Sequence, residues 1–230
     1  MKKLLLPILF TSLCECSHAQ GFINLDFESA SIVYVDPTDP YNHRVLLGPA
    51  FPGWQATIGG VFVSQVLYNS PTLSAVGVGL LDSGYSPAGF IEGNYMALLQ
   101  SGGYTNTQTG VDASLFQGAT VPTGSSSLQF KAYCPSGQFS VTMNGQTLSL
   151  SALSAGANYT LFGADISPWA GQFAELRFTM VGVTPQFDAR SLYLDAINFS
   201  SSPIPEPGVL VLSALGCLFF TPRFCKKPPL

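Results

Sequence analysis

Between Gln20 and Pro207 the chain is short of cations, histidine and cysteine. Four basic side chains, Arg44, Lys131, Arg177 and Arg190, face twelve acidic ones, a net charge of −8. A surface of that sign argues against nucleic acid or an anionic membrane face as a partner. Cys134 is the one cysteine of the span, so no disulfide can form within it. His43 is its one histidine. Zinc asks for three or four His or Cys ligands, and a Ser-His-Asp site would need a Gly-x-Ser-x-Gly elbow; neither is present. The span also lacks a glycine-rich phosphate loop, an internal repeat and any long helical period. Twelve acids leave a paired-carboxylate glycosidase open. Many of them, however, stand in turn-forming pairs such as Asp36-Pro37, Asp39-Pro40 and Asp82-Ser83, which need no chemistry to explain them.

What the span does contain is short apolar–polar alternation punctuated by Gly, Pro, Ser and Asn. The strongest case is Phe139 to Met143, then Asn144-Gly145, then Gln146 to Leu150. Asn-Gly favours a two-residue type I′ turn because both central positions need positive φ. That turn predicts Val141 opposite Leu148 and Phe139 opposite Leu150 on an apolar face, with Thr142 opposite Thr147 on the other. Leu128, Phe130 and Ala132 form a second apolar stripe, and Ala174, Leu176, Phe178 and Met180 a third. Further strands are expected over Phe22 to Phe27, Val61 to Tyr68, Asn94 to Leu99 and Ser191 to Phe199. Near Ser167-Pro168 a single helical turn is expected, capped by Ser167 and ended by Gly171. Many short strands with one helical turn predict an all-β sandwich of the jelly-roll type. About 180 residues suffice to bury a core without a staple, and Cys134 reads as a small buried hydrophobe within it.

The two ends read differently from the middle. Met1-Lys2-Lys3, the apolar Leu4 to Leu13 and Ser17-His18-Ala19 have the order of a secretory signal, with a mature start near Gln20. At the other end come Ser200-Ser201-Ser202-Pro203, then Pro205-Glu206-Pro207. The apolar run Val209 to Phe220 follows, and then a basic end with Arg223, Lys226 and Lys227. The 13 residues from Gly208 to Phe220 would reach about 20 Å as a helix, against a hydrocarbon core of roughly 30 Å. That is short for a permanent anchor, and the terminal cations would lie on the cytoplasmic side. In order and composition this tail resembles the PEP-CTERM sorting signal of exported bacterial proteins. The resemblance implies export through the Sec translocon and a membrane intermediate held by the C-terminal helix. Processing by an exosortase-type protease near Pro205, Glu206 and Pro207 would release the protein to the cell surface or extracellular matrix. The alternative is an ordinary C-terminal anchor. The expected division is a signal peptide over residues 1–19, a β-sandwich over 20–200 and a sorting tail over 201–230.

The middle resembles the galactose-binding-like jelly rolls of carbohydrate-binding modules. The similarity rests on Asn24-Leu25-Asp26-Phe27-Glu28 with Pro52-Gly53-Trp54, on Tyr159-Thr160-Leu161 with Asp165-Ile166-Ser167, and on Leu194-Asp195-Ala196-Ile197. That resemblance implies first and last strands lying side by side. It also implies a structural Ca²⁺ held by Glu28 and Asp195 with backbone carbonyls, although Ala196 stands where many relatives have a second Asp. The alternative for Glu28 and Asp195 is hydrogen bonding to loop amides. Sugar binding would use aromatic rings on loops, for which Tyr34, Trp54 and Tyr104 are the main candidates and Tyr41, Tyr85 and Trp169 further ones. The expected function is that of a non-enzymatic surface or matrix protein binding exopolysaccharide. The alternatives are a purely structural surface protein and a polysaccharide hydrolase.

Overall fold

The computed structural model describes residues 21–39, 41, 43–73, 75–85, 90–102, 110–182 and 190–204. The signal segment 1–19, Tyr104, the sorting motif Pro205, Glu206 and Pro207, and the basic residues Arg223, Lys226 and Lys227 lie outside the described residues. Among the described residues no helix is long and apolar enough to cross a membrane.

The domain is a sandwich of two largely antiparallel sheets. The strands in chain order are β1 (Arg44–Leu46), β2 (Gln55–Ile58), β3 (Val61–Val63), β4 (Gln65–Tyr68), β5 (Gly77–Asp82), β6 (Tyr95–Ser101) and β7 (Ala113–Thr120). They continue with β8 (Ser127–Tyr133), β9 (Phe139–Met143), β10 (Gln146–Thr147), β11 (Ser151–Ala155), β12 (Thr160–Asp165), β13 (Phe173–Met180) and β14 (Arg190–Ser200). One sheet has eight strands in the order β1-β4-β5-β6-β14-β8-β12-β11, the other six in the order β10-β9-β13-β7-β2-β3. Among the paired strands of the described residues only β4–β5 is parallel; an isolated bridge between Gly21 and Thr120 is parallel as well.

Alternating strands bury their apolar sides as the sequence pattern predicts. On β13, Ala174, Leu176, Phe178 and Met180 are fully buried, while Glu175 and Arg177 face outward. There they form an ion pair at 2.9 Å, with the Arg177 guanidinium lying over the Phe116 ring. Leu128, Phe130 and Ala132 of β8 point into the same core from the opposite sheet. Phe178 and Phe130 meet edge to face with ring centres 5.1 Å apart, which joins the two layers at the middle. The Asn144-Gly145 turn forms with φ of 49° and 77°, Thr142 pairs with Thr147, and the Leu148 N–H donates to the Val141 carbonyl at 2.9 Å. The returning strand β10 is only two residues long, because the chain leaves this sheet after Leu148 to begin β11 in the other.

Three expectations are corrected. Residues 22–27 are not a strand: Asn24 and Phe27 have φ of 50° and 59°, so the segment folds into turns. Its one main-chain tie to the closing strand is the Ile197 N–H donating to the Leu25 carbonyl at 2.9 Å, and β14 itself lies between β6 and β8. Residues 61–68 are two strands, with Ser64 as the point where the chain changes sheet. Val61 and Phe62 are 70% and 69% exposed there, so they line an edge and not the core. Finally, the turn Ser167–Trp169 is 3₁₀ and has no side-chain cap. It is Asp165 whose carboxylate accepts the Ser167 N–H, at 2.9 Å.

Candidate functional site

The opening segment is built to present Glu28. Its turns are tied by side chains: the Asn24 amide oxygen accepts the Ser29 N–H at 3.0 Å, and Asp26 accepts the Glu28 N–H at 3.3 Å. Local bonds of this kind are how Asn and Asp divert a chain from ladder pairing. Phe27 is fully buried and packs on Phe51 and Trp54, each with ring centres 5.7 Å away. With Phe27 plugged inward, Glu28 emerges toward the start of β6. One of its oxygens accepts the Asn94 N–H at 2.6 Å and the Tyr95 N–H at 3.0 Å, while the other accepts the Asn94 side-chain amide at 2.9 Å. Burial works against the Glu28 charge, but these donors together outweigh it and hold the group below the usual glutamate range.

Asp82, at the end of β5, is the second carboxylate. One oxygen accepts the Gly84 N–H at 2.9 Å, the bond of the Asp-Ser turn. The other receives the Tyr68 hydroxyl at 2.5 Å and the Asn69 amide at 2.9 Å. Here too burial opposes the charge, and the Tyr68, Asn69 and backbone donors overcome it, so Asp82 lies below the ordinary range. Burial, reinforced by Asp82, pushes the Tyr68 phenol upward. Glu28, Asp82, Ser83, Gly84, Asn94 and Tyr95 line one open polar cleft of about 480 Å³. Tyr34 does not line it but meets the Tyr68 ring edge-on, with ring centres 6.2 Å apart, and is 43% exposed. Tyr85, 36% exposed, follows the same turn. Sequence reasoning singled out Glu28 and Tyr34 but missed Tyr68, Asn69 and Asn94, and assigned Asp82 to a turn alone.

Asp195 does not line that cleft, though it lies within reach of the Glu28 charge, and it is in a different state. It lies on β14 opposite Lys131 of β8 and is 1% exposed. One oxygen accepts the Ala196 N–H at 2.7 Å; the other, buried, has no partner. Ala196 has φ of 49°, within the irregularity that shifts the β14–β8 register. Burial first, then the charges of Glu92 and Glu28, push Asp195 up to about 7. Lys131 pairs with Glu92 and lies over the Tyr159 ring. Calcium by way of Glu28 and Asp195 is therefore unequally supported. The orphaned Asp195 oxygen fits a cation, whereas Glu28 already spends its oxygens on three N–H donors, as the amide-bonding alternative anticipates. Among the described residues no group of three His, Cys, Asp or Glu side chains could hold a metal ion.

The shift of Asp195 has a consequence for stability. A folded value near 7, above an unfolded value of about 3.9, gives stability that is fully present below the unfolded value. It is lost as pH rises through the folded one. Between about pH 5 and 7 the folding constant is expected to fall by up to roughly tenfold per pH unit. Asp195→Asn is expected to flatten that slope. Glu28 and Asp82 act oppositely, their contributions disappearing as pH drops below the carboxylate range. Urea unfolding of both proteins across this range checks the result, and a wild-type profile that is flat or rising toward pH 7 contradicts it.

Trp54 is corrected as a ligand-binding residue. It is 3% exposed, packs on Phe27 and Phe178, and its indole N–H donates to the Asn24 carbonyl at 3.0 Å. No ring face remains for a sugar. Trp169 is partly buried against the same core, whereas Tyr41 is 87% exposed. Cys134 is half-buried, its thiol donating to the Ser136 carbonyl at 3.4 Å, and burial pushes its pKa up, as suits a packing residue.

No protein-family model matches the chain. No curated protein matches it either.

Proposed function

We propose that this is an exported, non-enzymatic cell-surface or matrix protein that binds exopolysaccharide at the Glu28–Asp82 cleft. Its domain would be a jelly roll of the galactose-binding type, sent through the Sec translocon by the N-terminal signal. The C-terminal helix would then hold it in the membrane until an exosortase-type protease acts near Pro205-Glu206-Pro207. The observation that carries the binding reading is the continuity from the exposed Tyr34 ring through Tyr68 and Asp82 into a cleft of carboxylate and amide groups. Sugars are recognised by that pairing of a flat apolar face with hydroxyl-binding acceptors and donors. Binding is favoured over hydrolysis because a glycosidase needs a proton-holding carboxyl that reaches substrate. The one raised carboxyl among the described residues, Asp195, is buried and does not line the cleft, whose own two carboxylates are held below the usual range. Calcium enters the reading as a structural ion held by Asp195 and main-chain carbonyls, where it would neutralise a buried charge. Millimolar Ca²⁺ at neutral pH is expected to raise the unfolding midpoint of the wild type and leave Asp195→Asn unmoved; equal response of the two rejects that role.

The test of function is a glycan array and titration with the purified protein, with Tyr34→Ala alongside. Because Tyr34 is a partly exposed surface ring, its loss is expected to change stability by less than ~1 kcal/mol while weakening glycan binding about tenfold or more. Absence of saturable binding by the wild type would favour the purely structural reading. Polysaccharide turnover abolished by a single carboxylate substitution would favour the hydrolase. Sorting is checked separately by the mass of the mature chain from the producing cell: a cut near Pro207 supports the reading, and an intact tail points to an ordinary anchor.

A further inference from the structure

The Glu28–Asp82 cleft carries an unbalanced charge. Among the described residues that line it are two carboxylates and no Lys, Arg or His. The donors on Glu28 are the Asn94 and Tyr95 N–H groups and the Asn94 amide. Those on Asp82 are the Gly84 N–H, the Asn69 amide and the Tyr68 phenol. All of these are neutral. They hold both groups below the usual carboxylate range, yet a neutral donor leaves a carboxylate its full charge. Glu92 and Glu175 differ, because each meets a cation, Lys131 and Arg177 respectively.

Such a field sorts sugars by charge. A uronate or sulfated chain would bring its own negative groups to two carboxylates and be repelled. A neutral chain would gain hydrogen bonds and ring contact but nothing from the charge. A sugar bearing an ammonium gains all three, since that group is a compact cation with three donors and no acceptor. An acceptor site is there for it. A carboxylate offers about four lone-pair sites, and the three bonds on Glu28 leave one over, on the oxygen that takes the Asn94 amide. The Ser83 hydroxyl lines the same cleft. One remaining site suits a single N–H donor, whereas Ca²⁺ asks for about six to eight oxygens.

We propose that the glycan of this cleft is an amino-sugar polymer, with hexosamine units that lack their N-acetyl groups and bind through a protonated amine at Glu28 and Asp82. The inference rests on the reading of the cleft as a glycan site and adds to it the class of glycan.

Calorimetric titration of the full-length protein tests it, at about pH 6, where an amine is charged and these carboxylates are ionised. The probes are tetramers of glucosamine, N-acetylglucosamine and galacturonate, with tetralysine as a cation that is not a sugar. The glucosamine tetramer is expected to bind saturably and about tenfold tighter than its acetylated counterpart. The galacturonate and lysine tetramers are expected not to saturate. Asp82→Asn, its fold checked by far-ultraviolet spectrum, is expected to cut the tenfold preference to about threefold. Glu175→Gln, the same change of net charge on the outer side of β13, is expected to leave it intact. The comparison of tetramers needs only the wild type, so it decides the matter even if Asp82→Asn does not fold. Acetylated or galacturonate tetramer binding as tightly as glucosamine overturns the amine while leaving the glycan reading in place. Equal effects of Asp82→Asn and Glu175→Gln overturn it too, since the attraction would then belong to the whole surface. Tetralysine binding as tightly as the glucosamine tetramer would make this a site for basic peptides. Absence of saturable binding by all the sugars removes the glycan reading and the inference together.

Discussion

Gly93→Ala is expected to lower the stability of the domain by about 2–4 kcal/mol, several times the cost of an ordinary surface change. Two effects combine. Gly93 has φ of 65°, where an L side chain is strained. A Cβ placed there would also enter the Glu28 carboxylate. Glu28 could make room only by releasing the Asn94 and Tyr95 amides, leaving acceptor and donors without their bonds. The control is Gly145→Ala in the 144–145 turn, with φ of 77° and nothing within 4 Å of the added Cβ. That change carries backbone strain alone, about 1 kcal/mol. Urea unfolding at unchanged m-value compares them. If the two variants lose stability equally, Glu28 does not fasten the opening segment to the start of β6, and the polar cleft loses one wall.

Trp54→Ala is expected to cost still more, about 3–5 kcal/mol, because it empties a site between Phe27 and Phe178 at the end of the sandwich. Trp54→Phe keeps most of the ring volume but leaves the Asn24 carbonyl without its donor. A loss of roughly 1–2 kcal/mol is expected for it. Denaturant unfolding gives both numbers. The same proteins, studied well below their midpoints, separate packing from recognition: glycan affinity per folded molecule is expected to stay unchanged in Trp54→Phe. A selective loss of affinity at full stability would restore Trp54 to the binding surface.

The contrast between Trp54 and Tyr34 illustrates what local sequence can carry. Both are aromatic residues predicted on loops, and no neighbouring residue distinguishes them. Their fates are decided by Phe27, Phe178 and Tyr68, which lie far away along the chain. The turn and the pairing from Val141 to Leu148 were legible because Asn144-Gly145 fixes backbone geometry within two residues. The expected Phe139–Leu150 pair does not form, because β10 ends at Thr147. Strands β8 and β13 were legible because burial on one side writes itself as alternation. Residues 22–27 show the same alternation and are not a strand. Asn24 and Asp26 spend their side chains on nearby N–H groups, and Phe27 reaches the core from a left-handed backbone. Glu28 could be singled out as an acid, but its donors are 66 and 67 residues distant. Asp82 carries a turn signal that is correct, since Gly84 uses one oxygen. Nothing adjacent reports that Tyr68 and Asn69 use the other.

The exit of the chain from the domain leaves no slack. After β14 the Ser202 carbonyl accepts the Ser127 hydroxyl at 2.7 Å, and the Ile204 side chain lies over Gly163 beside Leu153. Pro205 is the next residue in the sequence. A pull applied beyond Ile204 is therefore transmitted to β14, an inner strand bonded on both sides, to β6 and β8. Drawn along its own axis, that strand loads the β8 ladder first, from Ser200 back to Tyr193, and the β6 ladder, Arg190 to Leu194, behind it. A domain tethered there would behave under tension as a stiff mechanical fixture, its rows resisting in shear instead of unzipping one bond at a time.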